Sequence, residues 1–312
     1  MKRLFSAAAL LFLIVPLFLF ACASGEYKRI NIGGEALGED GDHIGSGTTV
    51  NNKAQESFAQ TMPFYKCVPR EITDEQLEKY ANEFGIIGEM SPLQDGKIIL
   101  QGADAVNNKG SRSISARNNE LSCSMYSRAV RGDYSWTDEK LEEEAKKVFA
   151  RIDILQGDYE YLGITSTRVA HTSEGEKIDT VRVSFRRLID GARIIGDDIC
   201  DFYFDGSGLC GIEIKLYDYE KTGEFDMVPL EDAFSRVKRP DSFSITKAED
   251  SAFSGVADKM TIERVKLLLV NQYTGGCEIL QPVYNIIGTL ENETGTVEFS
   301  SRVIAIPEKY TY

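Results

Sequence analysis

Apolar residues recur along this chain at two periods, and the switches between them lay out its elements. Thr73-Asp74-Glu75-Gln76 is a capping box, in which a threonine oxygen and a glutamine side chain satisfy free N–H groups of a first helical turn. Leu77, Tyr80, Ala81 and Phe84 follow at i, i+3, i+4 and i+7, and Gly85 supplies a stop. A second helix opens at Thr137-Asp138-Glu139 and puts Leu141, Ala145, Val148, Phe149 and Ile152 on one face. Its other face carries the i,i+4 pairs Glu142–Lys146 and Glu143–Lys147, which read as a solvated helix surface. A third begins at Pro229, a residue suited to a first turn. It would bury Leu230, Ala233, Phe234 and Val237 and stop at Lys238-Arg239-Pro240.

Elsewhere the period falls to two. Val181, Val183 and Phe185 alternate with Arg182, Ser184 and Arg186, the pattern of a half-buried strand. Asp190-Gly191 predicts a two-residue hairpin turn, and Asp205-Gly206-Ser207-Gly208 a second turn between 199–204 and 209–216. Strand-like runs at 262–271, 279–289 and 296–306 follow the third helix. A helix followed by a meander thus recurs, weakest in its first copy. The expected fold class is α+β: tandem modules of one helix packed on an antiparallel β-meander. The expected modules are 67–135, 136–227 and 228–312. Residues 25–66 read as a flexible tether, because Gly33-Gly34, Gly38, Gly41, Gly45 and Gly47 lie among polar residues with little apolar periodicity.

The first 24 residues read as an export segment. Lys2 and Arg3 precede an uncharged run from Leu4 to Phe20, and small residues follow at Ala21-Cys22-Ala23-Ser24. Leu19-Phe20-Ala21-Cys22 is similar to a bacterial lipobox, which makes Cys22 the expected site of lipidation and the mature N-terminus. Phe20 is bulkier than the usual residue at its position. Two alternatives stay open: cleavage after the small-x-small Ala21-Cys22-Ala23, or retention as a signal anchor, since about 18 apolar residues can span a bilayer. All three place the remaining chain outside the cytoplasm, at the bacterial cell envelope, and the lipobox would anchor it on the extracytoplasmic side of the membrane.

Charge narrows the partners. The 312 residues carry 35 Lys+Arg against 49 Asp+Glu, a formal net charge of −14. Without Lys2 and Arg3 the balance is 33 to 49, net −16. Nucleic acid is excluded as a partner, because phosphate binding needs Lys and Arg to displace counterions. The same sign disfavours an anionic lipid surface.

Export also frames the cysteines. Apart from Cys22 there are Cys67, Cys123, Cys200, Cys210 and Cys277, an odd number that cannot all pair within the chain. Cys200 and Cys210 share the parity of Phe202, Phe204, Ile212 and Ile214 and are expected on a buried face as small hydrophobes. A Cys67–Cys123 bridge is a possible pairing.

Residues for chemistry are sparse. HExxH, GxSxG, a P-loop and a dinucleotide fingerprint are all missing, so no catalytic residue and no cofactor is assigned. His43 sits in the tether without ligand partners, and His171 lies beside Thr172 and Ser173 at a strand end. Asp197, Asp198, Asp201 and Asp205 invite a calcium reading, with Asp201, Tyr203 and Asp205 on one strand face and Glu213 on the next strand. Their spacing of about 7 Å along an extended strand is too wide for one coordination sphere, so they read as a solvated polar face and no metal is assigned. Phe64, Tyr65, Tyr310 and Tyr312 are too scattered for a sugar platform.

The run from Val183 to Ile199, with its Leu188-Ile189-Asp190-Gly191 turn, resembles the strand–turn–strand core of PepSY-type modules. Phe204-Asp205-Gly206-Ser207-Gly208-Leu209 is similar to the turn that follows in them, and Leu280-Gln281-Pro282-Val283-Tyr284 resembles a strand near the end of related exported proteins. The arrangement also resembles the extracytoplasmic YycH/YycI regulators of a cell-wall sensor kinase. The resemblance covers about 137–306 and rests on turn and packing residues. It implies a non-catalytic regulatory module whose partner is an envelope protein, a protease or a sensor-kinase ectodomain. A lipid in place of those regulators' transmembrane anchor argues against direct control of a kinase through the membrane. The alternative is a ligand- or glycan-binding envelope lipoprotein.

Overall fold

A computed structural model describes residues 44–101, 112–125, 134–172, 175–196, 198–237, 243–246, 253–274 and 277–307. The export segment with Cys22, most of the tether, His43, Asp197, Tyr310 and Tyr312 lie outside the described residues.

In chain order the elements are β1 (Ile44–Asn52), β2 (Thr61–Pro69), α1 (Asp74–Glu83), β3 (Met90–Leu93), β4 (Gly96–Gln101), β5 (Arg112–Arg117), β6 (Glu120–Ser124), α2 (Asp138–Arg151), β7 (Asp158–Thr172), β8 (Gly175–Ile189), β9 (Ala192–Ile195), β10 (Cys200–Asp205), β11 (Gly208–Lys215), β12 (Tyr217–Asp226), α3 (Leu230–Arg236), β13 (Phe243–Thr246), β14 (Ala257–Thr274), β15 (Cys277–Asn292) and β16 (Gly295–Ile304). Sixteen strands against three helices among the described residues overturn the α+β expectation: the protein is mostly β. One whole strand, β1, and the first six residues of β2 fall inside the stretch 25–66 expected to be a flexible tether.

The chain divides into two compact units, one made of Val68–Asp218 and the other of the residues up to Cys67 and from Tyr219 onward. In the Val68–Asp218 unit, β8 pairs with β7 along one edge and with β10 and β9 along the other. The sheet continues antiparallel through β11, β6, β5, β4 and β3. Register aligns Val183, Phe202, Ile212, Cys123, Ile114 and Ile99 in one row across six strands. All six are buried, each aliphatic or aromatic member contributing about 1.5–3 kcal/mol relative to exposure. Leu77, Tyr80 and Ala81 of α1 and Leu141, Ala145 and Val148 of α2 join the same core.

Both helices start where the capping residues place them. Thr73 and Gln76 form the reciprocal capping box, and the Thr137 hydroxyl accepts from the Lys140 N–H. The Asp190-Gly191 turn has φ of 50° and 78°, a left-handed pair that Gly191 accommodates without cost.

In the other unit β14 and β15 form a long antiparallel hairpin, β16 lies on β15, and β13 lies on β16. β1 runs parallel to β14, so this sheet is mixed. Beyond the end of β16, β2 takes over the same edge of β15, with Tyr65 opposite Leu280. A bulge interrupts β14 between Ile262 and Arg264, with Met260, Thr261 and Ile262 buried before it and Val265, Leu268, Leu269 and Val270 after it. Opposite it, a Cβ on Gly288 would lie 1.9 Å from the Thr261 carbonyl oxygen, an approach only glycine permits. Helix α3 has Pro229 as its N-cap and Val237 as its C-cap; Ala233 and Val237 are buried as expected, Leu230 and Phe234 only half-buried, and the expected stop at Lys238-Arg239-Pro240 lies outside the described residues. Tyr284 donates to the Val228 carbonyl at 2.9 Å and packs 5.3 Å from the Phe58 ring.

Candidate binding surfaces

The reverse of the apolar row is polar. Ser184, Asp201, Glu213, Ser122 and Ser115 stand opposite one another on β8, β10, β11, β6 and β5. This was expected to be a solvated face, but Asp201 is only 4% exposed and Ser184 is buried. Arg186 donates to Asp201 Oδ1 at 2.7 Å, Arg182 stands 3.8 Å from its other oxygen, and Thr165 and Ser184 share a hydrogen bond of 2.6 Å. Tyr203 donates to Glu213 at 2.8 Å, and its ring lies against Gly211, whose absent side chain makes room for it. The calcium reading therefore meets carboxylates committed to protein donors: Asp201 faces two guanidinium groups and Glu213 a phenol. Asp205 Oδ1 accepts from the Ser207 N–H and hydroxyl and shapes the β10–β11 turn.

The second surface is the outer edge of β7. Among the described residues β7 pairs with β8 alone, so a strand of fifteen residues has one unpaired edge. Ile164 and Val169 are 40% and 44% exposed on it. Register shifts at 161/164, 164/166 and 168/169, with Gly163 at φ 76°, break it into short segments. Bulges of this kind keep natural edges from pairing indiscriminately. Alongside runs a groove of about 370 Å³ lined by Asp138, Leu141 and Glu142 of α2 and Tyr161, Gly163 and Ile164 of β7. Tyr161 packs 5.3 Å from Phe185 and Lys146 lies 5.7 Å over its ring. The Tyr134 hydroxyl is buried without a hydrogen-bond partner. Burial pushes the Tyr134 and Tyr161 phenols above their ordinary range, and the Asp138 carboxylate adds to both shifts, with Glu142 adding to that of Tyr161.

The third is a polar cleft of about 440 Å³ lined by Arg70, Gln76, Lys79, Asp153, Ile154, Gln156 and Asp218. Arg70 donates to the Ile154 carbonyl and stands 3.7 Å from Asp218, while its Nε is buried without a partner. Lys79 and the Tyr80 hydroxyl both donate to Asp153 and hold its carboxyl below the usual range, Lys79 foremost.

The remaining candidates are placed as follows. None of Cys67, Cys123, Cys200 and Cys210 is in a disulfide, so the Cys67–Cys123 bridge is not formed. Cys67 stands 3.6 Å from Asn271 Oδ1 and Cys123 takes its place in the apolar row. Cys200 is buried as expected, but a bulge after Tyr203 leaves Cys210 partly exposed. Burial pushes the Cys123 and Cys210 thiols up to about 12 and the Cys200 thiol well up too. The Cys277 side chain lies outside the described set. His171 is exposed on β7, 3.4 Å from Glu176. Phe64 and Tyr65 are buried, Phe64 edge-on to Phe225 at 4.8 Å. Gln281, part of the motif near the C-terminus, is 1% exposed with both amide atoms unpartnered. Its orphaned amide and the free β7 edge were not found from sequence, because neither burial nor strand neighbours are written in residue spacing. Among the described residues no helix is long and apolar enough to cross a membrane.

No protein-family model matches the chain, and no curated protein matches it. Among solved structures it is similar to an uncharacterized protein from Eubacterium rectale, at 12% identity over 82% of this chain and 86% of that one, with a TM-score of 0.44. It is also similar to the Bacillus megaterium YpeB C-terminal domain, at 11% identity over 76% of this chain and 99% of that one, with a TM-score of 0.39.

Proposed function

We propose that this protein is a non-catalytic binding module of the bacterial cell envelope, lipid-anchored at Cys22 on the extracytoplasmic side of the membrane, which acts on an envelope protein. The partner is a protease or a sensor-kinase ectodomain, and it is bound by pairing one of its extended segments with β7. The unpaired edge of β7 carries this reading: between its register shifts it leaves short runs of free backbone N–H and C=O groups, such as 158–161 and 169–172, that are templates for a short added segment. The lipobox-like Leu19-Phe20-Ala21-Cys22 and the resemblance to PepSY-type and YycH/YycI regulators support the location and the regulatory role.

The test is in-cell crosslinking of the full-length protein followed by purification and mass spectrometry. One envelope protein enriched over a lipid-anchored control supports the reading, and no enrichment removes it. Labelled palmitate incorporated by the wild type and lost in Cys22→Ser tests the anchor, and label retained in Cys22→Ser refutes it. A second reading, a ligand- or glycan-binding lipoprotein, draws on the 440 Å³ cleft beside Arg70. A rise in melting temperature with muropeptides, lost in Arg70→Ala, would favour it.

A further inference from the structure

We propose that the groove between α2 and β7 receives an extended segment of a partner protein whose groove-facing positions combine an aliphatic side chain with lysine or arginine. The inference rests on the edge-pairing reading above and names the chemistry of the segment. An extended segment sends alternate side chains to the same side, so residues two apart, about 6.6 Å from each other, can enter the groove together; the register shifts at 161/164 and 164/166 confine its pairing with β7 to the short regular stretches on either side. The groove offers an apolar part and a charged part. Its apolar part is the half-buried Tyr161 ring and Ile164, the latter 40% exposed, with the fully buried Leu141 behind them. Its charged part is Asp138 and Glu142, four residues apart on α2 and about 6 Å along the helix axis.

Lys146 already pairs with Glu142, whereas Asp138 stands at the mouth of the helix with no cation paired to it among the described contacts. An incoming ammonium or guanidinium therefore meets one unneutralised carboxylate and one shared one. An acidic segment would face repulsion from the same carboxylates and from a chain of net charge −14.

The experiment is fluorescence anisotropy with full-length protein in detergent and two labelled nonapeptides, Thr-Lys-Thr-Val-Thr-Lys-Thr-Val-Thr and its counterpart with glutamate for lysine. The lysine peptide is expected to bind at least tenfold tighter. Ile164→Asp should weaken it about tenfold, and the double variant Asp138→Lys, Glu142→Lys should invert the preference. An unchanged far-ultraviolet circular dichroism spectrum and a cooperative unfolding transition certify that each variant is folded. Equal affinity for the two peptides, or binding indifferent to these substitutions, overturns the inference. If neither peptide binds while the protein still crosslinks to an envelope protein through β7 in cells, the groove chemistry falls and the edge-pairing reading stands. If both signals are absent, both fall.

Discussion

Replacing Asp201 by leucine removes the carboxylate on which the polar row of the Val68–Asp218 unit is organised. Asp201 is 4% exposed and accepts from Arg186, itself 19% exposed, at 2.7 Å, with Arg182 at 3.8 Å. The substitution leaves the Arg186 guanidinium largely desolvated, with the Phe185 carbonyl at 2.9 Å as its other acceptor. Breaking a buried pair in this way costs about 3–5 kcal/mol, and the partial exposure of Arg186 puts the expected loss near 3 kcal/mol. Arg186→Met should cost about as much, with Arg182 softening the effect on Asp201. The double variant, apolar on both sides, is expected within about 1 kcal/mol of wild type, because replacing a whole buried pair is often neutral. Trp136 is the chain's single tryptophan, packs 5.9 Å from Phe204 and donates to the Asp205 carbonyl, so its fluorescence reports this unit. With a urea slope of about 2 kcal/mol/M, each single variant should unfold about 1.5 M earlier. A double variant that loses the sum of the two singles would refute the coupling.

Tyr80→Phe should destabilise the same unit by about 2 kcal/mol, since it removes a charge-assisted bond to Asp153 and orphans the Ile154 N–H that donates to the hydroxyl. Asp153 is held below its unfolded value, so its contribution is complete above the ordinary carboxylate range and is lost as pH falls through the folded value. The Tyr80→Phe penalty should therefore shrink in acid, and a penalty equal at pH 3 and pH 7 would contradict this. Gln281→Leu should raise the melting temperature, because both amide atoms are buried without partners, and a lower one would mean that the amide is satisfied. Gly288→Ala should cost several kcal/mol of the order reserved for core clashes, about 3, given the 1.9 Å approach to Thr261, and near-wild-type stability in thermal melts would refute that packing.

How much of this was legible in the sequence depended on whether a local pattern forced the answer. The caps at Thr73 and Thr137 and the turns at Asp190-Gly191 and Gly206-Ser207 were legible because hydrogen bonding and backbone sterics within four residues decide them. The meander of β14, β15 and β16 was legible from its apolar runs. The fold class was not. Three well-marked helices drew the eye, while β1 and β12 consist largely of exposed polar residues and are strands because of their neighbours. In β14 the buried residues run consecutively at 260–262 and 268–270, so it reads as an apolar run and not as an alternating strand. The pairing of the segments 44–67 and 219–307 was not legible for another reason: it joins residues such as Tyr65 and Leu280, more than two hundred positions apart. At the candidate surfaces, the residues of the polar row were found but their environment was mistaken. Alternation places Asp201 on the outward side of β10 and cannot tell that Arg186 and Arg182 cover it.

Site-specific photo-crosslinking tests the central claim most directly. A benzophenone amino acid is placed at Thr167 on the unpaired edge of β7 and, as a control, at Glu78 on the exposed side of α1, in cells carrying the full-length protein. Binding by strand addition predicts one discrete adduct with an envelope protein from Thr167 and none from Glu78. Identical adducts from both positions, or none from Thr167, would contradict it.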